Sequence, residues 1–406
     1  MPAFSPFTPE QAAIFANDHS ALFGDHSQLQ SVAVGVNTQN RVFRVKNQYG
    51  TSLIVKQVLP YVGGGGESWV LTQDRARIEA ELLKIHGALA PEHVVEVLYF
   101  DAGYSALLLE DLNQLQLLRT GLIGAKQYPL LAEHISTYLA HCSFYTSDFA
   151  LDGPFKKART AQFMNPQLCL MSEELFFTDP YCNHDRNEFD MALRPLVQQL
   201  WFDEALKAEV AELKAKFESC PQALLHGDLQ IGSIFVGAEQ TKVIDGEYAF
   251  YGPIGFDLGN FLGSLLLHYA ALPGLIADPL NRQQQAEYVR QQIEQTESLF
   301  CQKFLALAAR ETKDIALQSE LYQQRFIRQV VKDALGYAGC EILRRVIGQQ
   351  KVADFSKIAD KRQKLQCETA ALQLGRKLIL QHAELSSVSS VSSVSTVLGW
   401  LQQQQS

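Results

Sequence analysis

Residues 224–261, LLHGDLQIGSIFVGAEQTKVIDGEYAFYGPIGFDLGNF, decide how the rest of the chain is read. Two acidic centres lie close together in this stretch: Asp228, inside His226-Gly227-Asp228, and Asp245 with Glu247. Between them, Ser233 to Val236 and Lys242 to Ile244 read as two short apolar strands around a glycine-containing turn, which folds the second carboxylate pair back beside the first. A loop aspartate, a hairpin and a second acidic loop are what phosphoryl transfer asks of a protein. One carboxylate orients a hydroxyl and takes its proton, while others hold the divalent ions that neutralise phosphate charge. An Asp beside a Gly more often makes a turn than a catalyst. The joint pattern, rather than the tripeptide, makes Asp228 the candidate base and Asp245 and Glu247 the candidate metal ligands, with Gly246 between them.

On the N-terminal side, residues 29–56 are strand-like, with SVAVGV, RVFRV and TSLIVKQV separated by turn formers. Lys56 sits in the apolar strand Leu53-Ile54-Val55-Lys56-Gln57. A lysine ending a strand generally snorkels to water, but one that follows a loop-covered hairpin is where kinases keep the cation that pairs with the α- and β-phosphates. Its usual partner is a glutamate on the next helix. Thr72 to Ala90 reads as that helix, and Glu79 is the preferred partner because it precedes the apolar Leu82-Leu83-Ile85 face, with Glu81 the alternative. Val94 to Phe100 and Ser105 to Leu109 add two strands, completing a five-stranded sheet, and the strand pattern stops at Glu110-Asp111-Leu112. The four glycines Gly63 to Gly66 fit neither phosphate-binding glycine motif and read as a mobile loop; Trp69 beyond them either faces the cleft or is buried between lobes.

Beyond residue 114 the pattern turns helical, over Tyr128 to Thr146, Met191 to Phe217, Asn281 to Arg310, Gln318 to Ile347 and Phe355 to Glu384. The fold class expected is therefore α+β and two-lobed: residues 1–112 as a nucleotide-binding lobe, 113–385 as a helical catalytic and substrate lobe. Residues 386–406, a Ser/Val/Gln tract, form a flexible tail that cannot bury a core of its own.

Composition narrows the field further. A chain of 406 residues, 47% hydrophobic and 19% charged, can bury a large core, and a formal charge of −9 argues against a nucleic-acid footprint. Seven cysteines with no CxxC pair make a disulfide framework or zinc site a poor fit and point to the reduced cytoplasm. The N-terminus lacks the basic-then-apolar pattern of a signal peptide, and the longest apolar run, Phe261 to Leu272, is interrupted by His268 and too short to span a bilayer.

His226-Gly227-Asp228-Leu229 with Gly232 to Val236, VIDGEYAFYGPIGFD at 243–257, Gly66-Glu67-Ser68-Trp69, FTDPYCNHD at 177–185 and GCEILRRVIG at 339–348 together resemble the methylthioribose kinases. That family lies within the protein-kinase-like group that includes the aminoglycoside and choline kinases, and the likeness runs from about residue 10 to 385. The resemblance implies transfer of the ATP γ-phosphoryl group to the anomeric 1-hydroxyl of 5-methylthioribose in methionine salvage, with magnesium ions held by Asp245 and Glu247. It implies that Asn40, at the end of the first hairpin turn, touches ATP, and that the backbone of Glu110, Asp111 and Leu112 forms the hinge reading the adenine edge. It also implies that Arg344 and then Arg345 clamp the sugar and the transferred group, a role suited to forked guanidinium donors, and that the enzyme is a homodimer. The exposed-loop reading of His184-Asp185 is preferred to a metal site.

Three places depart from the family pattern. The first turn keeps Gly35 and Asn40 but loses glycines and an acid, so the backbone approaches phosphate less closely. Gln230 and Ile231 replace His and Thr in the catalytic loop, and Gly246 replaces Pro, adding backbone freedom to the metal loop. These departures keep two alternatives open: a kinase of another small hydroxyl compound, and a catalytically silent, nucleotide-binding pseudokinase.

Overall fold

Alternation of apolar and polar residues in the first hundred positions produces a single antiparallel sheet. The computed structural model describes residues 5–24, 28–34, 40–60 and 71–384. Helix α1 (Pro9–Asp18) starts at a capping box formed by Thr8 and Gln11, and is followed by strands β1 (Gln30–Ala33), β2 (Asn40–Lys46) and β3 (Ser52–Val58). Helix α2 (Arg75–Leu89) precedes β4 (Val97–Asp101) and β5 (Ala106–Glu110), and the five strands lie in the order β1-β2-β3-β5-β4. One face of the sheet packs Phe43, Val45, Leu53 and Val55 against Phe7 and Phe15 around α1, while Val58, Leu107 and Leu109 join α2 in the main core. The five-stranded expectation holds, with boundaries shifted by up to three residues.

The remainder is mostly helical. It runs through β6 (Gln116–Leu117), α3 (Leu118–Ile123), α4 (Leu131–Tyr145), α5 (Gly153–Gln162), α6 (Pro166–Phe177), α7 (Arg194–Trp201) and α8 (Glu204–Ser219) to the short strands β7 (Ala223–Leu225), β8 (Ile234–Val236), β9 (Thr241–Val243) and β10 (Phe250–Gly252). Helices α9 (Gly255–Leu275), α10 (Pro279–Glu311), α11 (Glu320–Ile347), α12 (Ala353–Ser356) and α13 (Lys361–Gln381) complete it. The central hairpin read from the sequence is β8–β9, paired Ile234 to Val243 and Val236 to Thr241.

Helix α9 is buried without interruption from Gly255 to Leu272, as a helix apolar all round must be. It reaches α11 through Gly255, Gly259 and Gly263. A Cβ at these positions would sit 2.8 Å from the Val330 carbonyl oxygen, 2.5 Å from that of Ala334 and 2.9 Å from that of Ala338, so only glycine allows the two backbones this close.

Two predicted helices are split. Met191 to Phe217 is broken at Phe202 and Asp203, where the Asp203 carboxylate caps α8 by accepting from Leu206 N at 3.1 Å. The predicted Phe355–Glu384 helix divides into α12 and α13, the latter capped by Asp360. In the 177–185 segment Asp185 is exposed and His184 half-buried, while Asp179, Pro180 and Tyr181 are buried and Asp179 pairs with Arg186 at 2.8 Å. Trp69, Gly63 to Gly66, Gly35 to Gln39 and the 386–406 tail lie outside the described residues. Among those described, no helix is long and apolar enough to cross a membrane.

Candidate active site

The catalytic loop is shaped by what grips its backbone. Gly227 has φ +83°, and a Cβ there would lie 2.1 Å from the Tyr248 carbonyl oxygen, so the position requires glycine. The buried Asp257 carboxylate, in the first turn of α9, accepts from His226 N at 2.7 Å and Gly227 N at 3.0 Å; burial holds its pKa above the ordinary range. Two turns further along α9, Ser264 Oγ accepts from Ile231 N at 3.2 Å. His226 ties the two acidic loops together: Asp228 N donates to its Nδ1 at 3.3 Å, which leaves Nε2–H to donate to the Ile244 carbonyl at 2.8 Å.

Asp228 itself faces α11. Arg344 Nη2 donates to its Oδ1 at 2.9 Å and Arg345 Nη2 lies at 3.5 Å. Both arginines give their Nε–H to Glu341, which is wholly buried; Arg345 Nε lies 2.8 Å from it. The Arg344 guanidinium also stacks 3.6 Å over the Phe176 ring, and Gln350 Oε1 accepts from it at 2.7 Å. Burial, and then the charge of Arg345, draws Arg344 below the usual arginine value, with Glu341 opposing both.

The second acidic loop sits opposite Lys56. Lys56 Nζ donates to Glu79 Oε1 at 2.8 Å and to Asp245. Glu81 instead pairs with Arg77 on the helix surface, which settles the choice between the two glutamates. Burial alone would lower Lys56, but Asp245 and Glu79 overrule it and raise the amine. Burial raises Glu79, whose Oε2 has no hydrogen-bond partner among the described residues, and it opposes the Lys56 charge that holds Asp245 low. Asp245 adopts φ +69°, a left-handed conformation that a non-glycine residue holds only where its surroundings insist.

Glu247 is buried against Arg75, and Asn40 Nδ2 donates to it at 3.5 Å. Arg75, wholly buried, also donates to Asn40 Oδ1 at 3.3 Å and the Leu59 carbonyl at 2.7 Å. Gly246, which stands where the family pattern has Pro, is closely surrounded. Leu82 fills the place of a side chain, 2.2 Å from a would-be Cβ, and Asn165 Nδ2 holds the carbonyls of Glu247 at 2.9 Å and Ala249 at 3.2 Å.

At the junction of sheet and helices, Asp111 is held by Arg44 at 2.7 Å and by Ser52 Oγ at 2.6 Å, and Glu110 meets Lys242 at 3.2 Å; Leu112 follows, half-buried. The structure thus brings Lys56, Glu79 and Asp245 into one group, Asn40 and Glu247 into a second, and Asp228, Arg344 and Arg345 into a third. Asp245 and Glu247 offer hard oxygens two residues apart. That suits magnesium, which is commonly held by one or two carboxylates together with substrate phosphates. Among the described residues no larger group of His, Cys, Asp or Glu gathers as a ready metal cage.

Arg75, Glu341, Asp257 and Asn165 were not read from the sequence. Glu341 had a signal, since it stands three and four residues before the two arginines and so shares their helix face. The others act through contacts between distant segments.

The sequence profile of the Phosphotransferase enzyme family matches residues 34–295. The chain is 44% identical over 389 residues to the methylthioribose kinase of Yersinia enterocolitica, covering 96% of this chain and 97% of that protein. It is likewise 44% identical over 392 residues to the methylthioribose kinase of Pectobacterium carotovorum, with 96% and 97% covered. Among solved structures, a choline kinase from Cryptosporidium parvum is 12% identical with a TM-score of 0.47, over 92% of this chain and 99% of that one.

Proposed function

The chain belongs to the methylthioribose kinases, and from that premise we propose how its residues divide the work of moving the ATP γ-phosphoryl group to the 1-hydroxyl of S-methyl-5-thioribose, a step of methionine salvage. Residues up to about 112 serve as the nucleotide lobe and those beyond as the acceptor lobe. The backbone at Glu110, Asp111 and Leu112 meets the adenine edge, and Asn40 lies at the phosphate end of β2. Lys56, oriented by Glu79, pairs with the α- and β-phosphates.

Asp228 orients the sugar hydroxyl and accepts its proton as the bond to phosphorus forms. Arg344 and Arg345 present forked donors to sugar oxygens and to the equatorial phosphoryl oxygens, where charge gathers in transfer. Asp245 and Glu247 would hold magnesium, which supplies neutralisation of the phosphate charge. The enzyme works in the cytoplasm, in keeping with seven free cysteines, and as a homodimer, as the family resemblance implies.

The observation that supports this reading best is the Asp228 carboxylate within hydrogen-bond reach of two arginines fixed by one buried glutamate. A coupled ADP-release assay with methylthioribose, ribose and choline side by side tests it. Turnover should be greatest with methylthioribose. Preference for another acceptor would assign the scaffold to a different hydroxyl compound, and no turnover with any would favour a nucleotide-binding pseudokinase.

A further inference from the structure

Outside the groups described above, one buried ionic cluster touches the catalytic loop from behind. Arg119, on α3 and nearly buried, sends one arm of its guanidinium to Asp354 and the other to Gln230 Oε1, while its backbone N–H donates to the Ile231 carbonyl at 3.0 Å. Asp354, wholly buried on α12, accepts from His268 Nδ1 at 2.7 Å through its other oxygen; His268 lies on α9, one turn beyond Ser264. Gln230 Oε1 also accepts from Gly232 N at 2.9 Å, and Ser233 Oγ at the end of that turn donates to the Asp228 carbonyl at 3.1 Å. A chain of bonds therefore runs from Asp354 through Arg119 and Gln230 to Asp228.

The connection that leads into α12 also reaches the arginine pair. Gln350, in the connection from α11 to α12, accepts from Arg344 at 2.7 Å and Arg345 at 3.4 Å, four residues before Asp354. We propose that Arg119 is a positioning residue for the phosphoryl transfer: anchored by Asp354, it holds the turn at Gln230 and so sets where Asp228 stands relative to Arg344 and Arg345. The proposal rests on the kinase reading above.

Stability alone is a weak reason for the cluster, because apolar side chains of equal volume commonly fill such a place as well as a buried ion pair does. A planar fork fixed at one end and reaching a loop amide at the other has a geometric use that packing lacks. Gln230 is the right length for it, since its single oxygen receives both the guanidinium and the Gly232 N–H. Asp354 stays ionised over the working range: burial opposes this, but Arg119 and His268 bring its carboxyl down to about 2.

The test is a double-mutant cycle of Arg119→Met and Gln230→Ala, with Arg119→Lys as rescue, run on whichever acceptor the wild-type enzyme uses best. A wrong sugar then overturns the substrate reading while leaving the role of Arg119 to be decided by the cycle. Arg119→Met should lower kcat about 10- to 100-fold, as displacement of a reacting group by about 1 Å does, while the KM for ATP stays within about twofold. The double variant should be no slower than Arg119→Met alone, because both changes cut one chain of bonds, and Arg119→Lys should recover part of the loss. A kcat for Arg119→Met within about twofold of wild type, losses that multiply, or a parallel rise in the KM for ATP would each overturn the proposal. Should Arg119→Met fail to fold, Gln230→Ala decides alone: unchanged turnover sinks the idea, a selective fall in kcat sustains it.

Discussion

At the scale of single residues, Asp228 has the clearest consequence. Asp228→Asn should lower kcat by about 10² to 10⁴, the range for losing a general base, with ATP affinity little changed. Rapid-quench turnover beside a nucleotide titration measures both, and undiminished turnover would remove Asp228 from the role. Asp354 yields a pH dependence. Its carboxyl is lowered in the folded protein to about 2, against about 3.9 unfolded, so its ionised form contributes stability that is complete above about pH 4 and lost as the pH falls to about 2. The contribution is about 2–3 kcal/mol. Urea unfolding of wild type and Asp354→Asn should therefore show a stability gap at pH 6 that narrows on acidification; a gap that widens would contradict the sign.

At the scale of elements, the glycines of α9 separate two kinds of replacement. Gly259→Ala places a methyl 2.5 Å from the Ala334 carbonyl and should cost about 1–3 kcal/mol, the usual penalty of overpacking. Gly87→Ala, on α2, where outside the helix's own backbone no atom of the described residues comes within 4 Å of the added carbon, should instead stabilise by about 0.5–1 kcal/mol. Thermal unfolding of both variants checks the opposite signs. Helix α9 was hard to read because it is apolar on every side, so the 3.6-residue period that revealed α10 and α11 is missing; its sequence yielded only an apolar run. The strands β2, β3 and β5 were legible because β-branched and leucine side chains cluster between turn formers, whereas β7 and β10 are three residues each and exist only by pairing with one another. The same division holds in the site. Lys56, Asp228, Asp245, Glu247, Arg344 and Arg345 stand in short motifs, but Arg75 meets Glu247 across 172 positions and Arg119 meets Asp354 across 235, separations that no local pattern encodes.

At the scale of the whole molecule, the sheet and the helical body are joined by ion pairs of this chain's own making. Lys56 from β3 holds Asp245, Arg75 from α2 holds Glu247, and Lys242 from β9 holds Glu110. Both candidate magnesium ligands thus have a basic side chain against them. A bare divalent ion would have to compete with two cations that cannot diffuse away, whereas a nucleotide carrying its own ion brings phosphates for those cations to turn towards. Magnesium chloride alone should leave the melting temperature unchanged, and magnesium with ATP at about a hundred times its Kd should stabilise by about 2.7 kcal/mol. A differential scanning fluorimetry series with each component separately, then together, distinguishes the two. The tethered lysine and arginine would thereby set the order of arrival, so that the metal enters as a passenger of the nucleotide and never as the first guest.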